Sequence, residues 1–120
     1  ILAEKLGAAE VIAIDNDEWS INNAIENIEI NNSRNIKVQY KNSLDDLNAQ
    51  DIILANINLN VLTTNVQKIC LMSKHRSLLL LSGFFIEDEV ALLNIYSNFG
   101  FVKTKEKRLE GWSSLLLCKE

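Results

Sequence analysis

Asp15 ends a short apolar run, Val11 to Ile14, and a second acid, Asp17, follows two residues later. A carboxylate at the tip of a buried strand has two kinds of work open to it. It can accept hydrogen bonds from both hydroxyls of a ribose, where the charge on the acceptor strengthens the bond. Alternatively, it can cap the helix that follows. Asp17 is the better-placed cap, so Asp15 is expected to have no structural task and to be available to a ligand. Asn56, within "ANINLN", follows another apolar run, Ile52 to Ala55. Its side-chain amide offers one acceptor and two donors with which to hold an amine against an electrophile, or it is simply a turn asparagine. Asn42-Ser43, after Ile36 to Tyr40, is a polar turn that faces either an adenine edge or water.

Other chemistries are poorly supplied. With one histidine, no Cys-x-x-Cys and no paired His-carboxylate spacing, the chain presents no metal site to propose. Its four glycines are isolated, so no glycine-rich phosphate loop is present. His75, between Lys74 and Arg76, is expected as a cation at the carboxyl end of a helix. Cys70 and Cys118 sit far apart in apolar patterns, which suits reduced, buried thiols of a cytoplasmic protein better than a disulfide. A net charge of −4 and a pI near 5.0 argue against a surface that neutralises many phosphates, and so against direct nucleic-acid binding. No apolar run approaches the roughly 20 residues of a membrane span, and the start lacks a signal-peptide pattern. Trp19, Trp112, Phe84 and Phe85 either line a substrate pocket or pack.

The elements that must position these residues follow from periodicity. Leu2 to Leu6 reads as the end of a helix closed by Gly7. Val11 to Ile14 reads as a parallel strand covered on both faces, and Ile21, Ala24, Ile25 and Ile28 mark a helix capped by Asp17. Strands follow at Ile36 to Tyr40 and Asp51 to Ala55, then a helix with Leu62, Val66, Ile69 and Cys70 inward, then a buried strand from Ser77 to Leu81. Glu87, Asp88 and Glu89 place acid in the first turn of a helix whose inner face is Ile86, Val90 and Leu93. Phe101 to Lys107 and Trp112 to Leu117 form a closing hairpin through Leu109-Glu110-Gly111. Alternating strands and helices imply an α/β fold, a parallel sheet with helices on both faces that binds ligands beyond the carboxyl ends of its strands. Asp15, Asn42, Asn56 and Ser82 all fall there. No linker or second domain is visible across residues 1–120.

The strings "ILAEKLGAAEVIAIDND", "DIILANI", "LLLLSGF" and "LEGWSSLLLCKE" resemble the catalytic domain of the bacterial ribosomal protein L-eleven methyltransferase family, over nearly the whole chain. The resemblance implies a Rossmann-like methyltransferase sheet, mostly parallel with a C-terminal antiparallel hairpin, and S-adenosylmethionine as cofactor. It implies that Asp15 binds the cofactor ribose and that Asn56 contacts the cofactor and borders the methyl-transfer pocket as the candidate catalytic residue; Asn42, in the polar turn after Ile36 to Tyr40, is taken as a further cofactor-binding candidate. The implied substrate is a large-subunit ribosomal protein, methylated on amine nitrogens of lysine side chains and an N-terminus.

Two departures are local: "SKHRS" replaces a loop commonly rich in Pro and Gly, and Asn58 stands where members often carry an apolar residue. A third is larger. In the family the glycine-rich loop and the first strand come immediately before the "IL" that opens this sequence, and that strand lies between those ending at Asp15 and Ala55. Residues 1–120 are therefore expected to be part of a methyltransferase domain lacking its first strand, inactive on its own, since unpaired buried backbone groups cost about 1–3 kcal/mol each. Two rivals remain. A nicotinamide-dependent oxidoreductase also reads ribose with a strand-end carboxylate, although a closing hairpin is not expected there. A non-catalytic module could keep the sheet as a binding partner.

Overall fold

The computed structural model describes all 120 residues, which divide into two compact units, Ile1–Ser43 and Leu44–Glu120. The first unit contains α1 (Leu2–Lys5), β1 (Val11–Asp15), α2 (Glu18–Ile30) and β2 (Ile36–Tyr40). Gly7 takes φ +107° after α1, a backbone conformation that a side chain would strain. Asp17 caps α2 as expected, accepting the Ser20 N–H at 2.9 Å. The two strands pair in parallel from Val11↔Ile36 to Asp15↔Tyr40. Glu4 Oε1 accepts the Arg34 and Asn35 N–H groups at 2.9 and 3.0 Å, tying α1 to the loop before β2, and the Arg34 bond foremost holds the carboxyl below its usual range. The expected double-sided cover of β1 is not found: Val11 to Ile14 are only half-buried. Two strands and one long helix have too little apolar surface to enclose a strand on both faces.

The second unit runs β3 (Gln50–Asn56), α3 (Leu59–Thr64), α4 (Val66–Leu71), β4 (Ser73–Phe85), a 3-10 turn (Ile86–Asp88), α5 (Glu89–Ser97), β5 (Phe101–Leu109) and β6 (Trp112–Lys119). Its sheet has the order β3-β4-β6-β5, with β3 parallel to β4 and the other neighbours antiparallel. The closing hairpin is therefore present. Its turn is Glu110-Gly111, both at positive φ (50° and 84°), as the mirror-image two-residue turn requires.

The core lies on one face of this sheet. Ala55, Leu79, Leu81, Leu115 and Leu117 point inward against Leu62, Ile69, Leu92 and Tyr96 from α3, α4 and α5. The Tyr96 hydroxyl donates to the Leu62 carbonyl at 2.8 Å, satisfying the one polar atom of a fully buried ring. On the opposite face Ile52 and Leu54 of β3 and Leu78 and Leu80 of β4 stay exposed, so the unit's own helices cover one side of its sheet rather than two.

Several other expectations change. The single helix predicted around Leu62 to Cys70 is two short ones, divided at Asn65 (φ −103°, ψ 9°), although its inward stripe of Leu62, Val66 and Ile69 is kept. His75 is not at a helix end: α4 stops at Leu71 and β4 begins at Ser73, so His75 is an exposed strand residue. The inner face of α5 is Glu89, Leu92 and Tyr96, not Ile86, Val90 and Leu93; Val90 is 69% exposed. Leu93 is partly buried beside the core. Cys70 and Cys118 are free thiols, partly rather than fully buried. No helix is long and apolar enough to cross a membrane.

Candidate functional site

Asp15 is the last residue of β1 and Asn42 lies in the bend just beyond β2, both exposed. The Lys41 N–H donates to the Asp15 carbonyl at 2.9 Å, which continues the parallel ladder past Tyr40 and keeps the two strand ends level. A carboxylate and an amide thus stand at the same carboxyl edge of one small sheet, offering acceptors for a vicinal diol and donor-acceptor pairing for a heterocycle edge. Asp15 does have a structural task, contrary to expectation: Oδ1 accepts the Asp17 N–H at 2.9 Å, an i to i+2 turn that leads into the Asp17 cap. Two acids are used here because the chain turns twice, once off the strand and once into the helix.

Asn56 belongs to the second unit and is the last residue of β3 rather than the first of the loop. The sheet register explains its surroundings. Asn56 pairs with Ser82, Ser82 with Ser114 and Ser114 with Lys107, so one polar row crosses all four strands. The row behind it is apolar, Leu54, Leu80 and Leu116. Side chains along a strand alternate faces, so the polar row continues the open face of the sheet, not the core face. A cavity of about 700 Å³ is lined by this row together with Asn58, Gly83, Arg108 and Trp112.

Gly83 lets the wall come close. It sits in a bulge of β4 at φ +90°, and a Cβ there would stand 2.8 Å from the Ile57 carbonyl oxygen and 3.0 Å from Asn56 Oδ1. The Asn56 side chain is thus held against bare backbone. Asn58 caps α3, its Oδ1 accepting the Val61 N–H at 3.0 Å, which gives this departure from the family pattern a local structural purpose. Of the four aromatic candidates only Trp112 lines the cavity, half-exposed and stacked on Phe85 at 4.3 Å. Phe84 is buried in the core, and Trp19 is an exposed residue of α2.

Arg108, Ser113, Ser114 and Lys107 were not singled out from the sequence. A signal existed: once Glu110-Gly111 is taken as a two-residue turn, counting outward pairs Arg108 with Ser113 and Lys107 with Ser114. The cavity offers two amides, that of Asn58 engaged as the α3 cap, three hydroxyls, a lysine ammonium and a guanidinium, but no histidine or thiol. Such a set can orient a reactant, and contains no nucleophile poised by a neighbouring base.

The family described as "Ribosomal protein L11 methyltransferase (PrmA)" matches residues 1–120. The ribosomal protein L11 methyltransferase of Porphyromonas gingivalis is 37% identical over 117 residues, covering 96% of this chain and 40% of that protein. That of Bacteroides thetaiotaomicron is 35% identical over 117 residues, covering 96% and 42%. The crystal structure of ribosomal protein L11 methylase from Lactobacillus delbrueckii subsp. bulgaricus superposes with a TM-score of 0.90 at 25% identity, over 98% of this chain and 62% of that one. The fold is accordingly the α/β Rossmann-like methyltransferase fold, and the chain spans about two-fifths of the length of these curated relatives. The family match over residues 1–120, the relatives and the fold agree, and the chain belongs to the ribosomal protein L11 methyltransferase family.

Proposed function

We propose that the chain is a portion of an S-adenosylmethionine-dependent methyltransferase domain acting on amine nitrogens, those of lysine side chains and an N-terminal amine, of a large-subunit ribosomal protein. The observation that carries this is family membership combined with a ready-made amine-holding row, Asn56-Ser82-Ser114, at the carboxyl end of the sheet. The residues present fit the nucleoside half of the cofactor: Asp15 supplies a carboxylate for the ribose diol and Asn42 an amide for the adenine edge, level with each other at one sheet end. When bound, the cofactor supplies an activated methyl group on a sulfonium.

The chain's residues then have to bind, orient and select a protonation state. Asn56 accepts from the substrate amine through its side-chain carbonyl, and Ser82 and Ser114 offer further acceptors along the same row. Lys107 at the end of the row disfavours a second cation, which favours the neutral amine with its lone pair free. No protein nucleophile is needed, in keeping with a cavity that has none. The closing antiparallel hairpin speaks against the nicotinamide-dependent alternative.

Calorimetric titration of S-adenosylhomocysteine into this chain, and into the protein as its gene encodes it, tests the reading. Binding is expected in the encoded protein and should weaken when Asp15→Ala removes the ribose acceptor. Unchanged affinity in Asp15→Ala would remove Asp15 from the ribose; competition by NAD in place of S-adenosylhomocysteine would overturn the cofactor.

A further inference from the structure

The second unit contains one acidic side chain that is nearly enclosed. Glu89, the first residue of α5, is 5% exposed, whereas Glu87 in the same helical start is open to solvent and Asp88 is half-buried. Oε1 accepts from Arg108 Nε at 2.8 Å and from Ser113 Oγ at 2.5 Å, and Oε2 accepts from Arg108 Nη2 at 2.6 Å. This is the fork-to-fork geometry in which a guanidinium fixes a carboxylate in one plane, with a hydroxyl added at the side.

The partners are what give the contact its meaning. Arg108 and Ser113 face each other across the β5-β6 hairpin, one rung before Leu109 and Trp112 close into the turn. One carboxylate therefore grips both strands of the hairpin at a single level. Two further contacts join the same places: the Ile86 N–H donates to the Gly111 carbonyl at 3.0 Å, and Phe85 stacks on Trp112. The segment that makes them, residues 85 to 89, leads directly on from Gly83, which lies against Asn56. The hairpin end that walls the cavity is thus tied to the stretch of β4 that backs Asn56.

Stability alone does not account for this arrangement. Helix-dipole compensation is already available from the exposed Glu87 and the half-buried Asp88, whose Oδ2 accepts the Phe85 N–H at 3.2 Å. The pair is enclosed on one side only, the Arg108 side chain being 48% exposed and that of Glu89 6%, so the carboxylate loses its hydration while solvent screens the guanidinium, and the net gain in stability is small. What it does provide is a single permitted geometry. We infer that Glu89 is a positioning residue which, through Arg108 and Ser113, sets the hairpin wall of the Asn56 cavity at the distance the protein substrate requires. This rests on the function proposed above.

The test uses the protein as its gene encodes it, with two variants: Glu89→Gln, which keeps shape and loses charge, and Arg108→Lys, which keeps charge and loses the fork. S-adenosylhomocysteine affinity should stay within roughly twofold of wild type, while kcat/KM for the ribosomal-protein substrate falls at least roughly tenfold, since small misplacement of a reactant is costly. Ser113→Ala, which retains the bidentate pair, should fall less. If both variants melt earlier yet keep wild-type kcat and KM at a temperature where they are folded, the positioning role is overturned and Glu89 is structural only. A second readout does not depend on activity. Trp19 and Trp112 are the tryptophans of residues 1–120, so in a background where Trp19 and any tryptophan encoded outside these residues are replaced by Phe the emission reports Trp112. Arg108→Lys should shift that emission to the red as the hairpin end loosens, and an unmoved spectrum would overturn the inference. Should wild type bind no S-adenosylhomocysteine and methylate nothing, the proposed function fails, and the Trp112 emission still decides whether Glu89 sets the hairpin.

Discussion

Asn56 and Gly83 are best understood together. A strand-end asparagine has several rotamers to choose from, and a rigid wall reduces that number. Gly83 leaves room for that side chain where any Cβ would stand 3.0 Å from Oδ1, at a φ that only glycine adopts without strain. Gly83→Ala places a methyl 2.8 Å from a backbone carbonyl that cannot swing aside. The substitution should cost about 1–3 kcal/mol from the strained φ and the clash, seen as a lower denaturation midpoint. Turnover should drop further than cofactor affinity, because the displaced atom is Asn56 Oδ1. A variant that melts lower with wild-type turnover would mean that Asn56 does not need that room. The conservative counterpart, Asn56→Ala, should depress turnover more than S-adenosylhomocysteine affinity, and wild-type turnover there would take Asn56 out of the reaction.

At the scale of elements, the hairpin shows how local chemistry sets a register that later matters to the cavity. Glu110 stands at φ +50°, where an L-residue other than Asn or Asp pays about 1–2 kcal/mol in crowding. Glu110→Asn should recover about 0.5–1 kcal/mol and raise the melting temperature by a few degrees without altering the Arg108↔Ser113 pairing. A fall in stability would show that Glu110 makes a compensating contact. The link between α5 and this hairpin carries its own pH signature. Arg108, and then Ser113, hold the Glu89 carboxyl down at about 2, below its ordinary 4.5. A depressed carboxyl contributes stability that is fully present above the unfolded value and is lost as pH falls toward the folded one. Wild type should therefore lose its advantage over Glu89→Gln between about pH 5 and pH 2; a constant difference across that window would deny the ion pair.

Much of this level was legible in advance. Val11, Ile36, the Asp51 run and the strand from Trp112 are legible as apolar or alternating runs bounded by Gly, Asn and Asp, and Asp17 by its position before a helical stripe, whereas Phe101–Leu109 is mostly charged and is legible only as the partner that the Glu110-Gly111 turn requires. The inner face of α5 was not, because its register is decided by the enclosed Glu89: an acid that reads as solvated turns inward once Arg108, 19 residues later, is folded beside it. For Asp15 the sequence offered one acid too many, and the two successive turns that use both are visible only in the backbone. The polar row from Asn56 to Lys107 needed strand order and register, neither of which a strand reveals on its own.

For the molecule as a whole, burial is unequally divided. Every residue of the buried core belongs to the unit Leu44–Glu120, and none to Ile1–Ser43, whose strands are at most half-covered. Local opening costs little where few apolar contacts must be broken, so backbone amides of Val11–Asp15 and Ile36–Tyr40 should exchange with solvent deuterium orders of magnitude faster than those of Leu78–Ser82 and Ser113–Cys118. The same imbalance gives the proposed cofactor role a readout independent of turnover. The residues assigned to the nucleoside, Asp15 and Asn42, both lie in the weakly buried unit, and a ligand that bonds there removes the open states in proportion to its affinity. Adding S-adenosylhomocysteine to the encoded protein should therefore slow exchange in residues 11–15 and 36–43 much more than in β6. Slowing confined to the second unit would place the nucleoside away from Asp15 and Asn42. Equal protection of both units without ligand would mean that another surface, such as a second copy of the chain, already covers Ile1–Ser43.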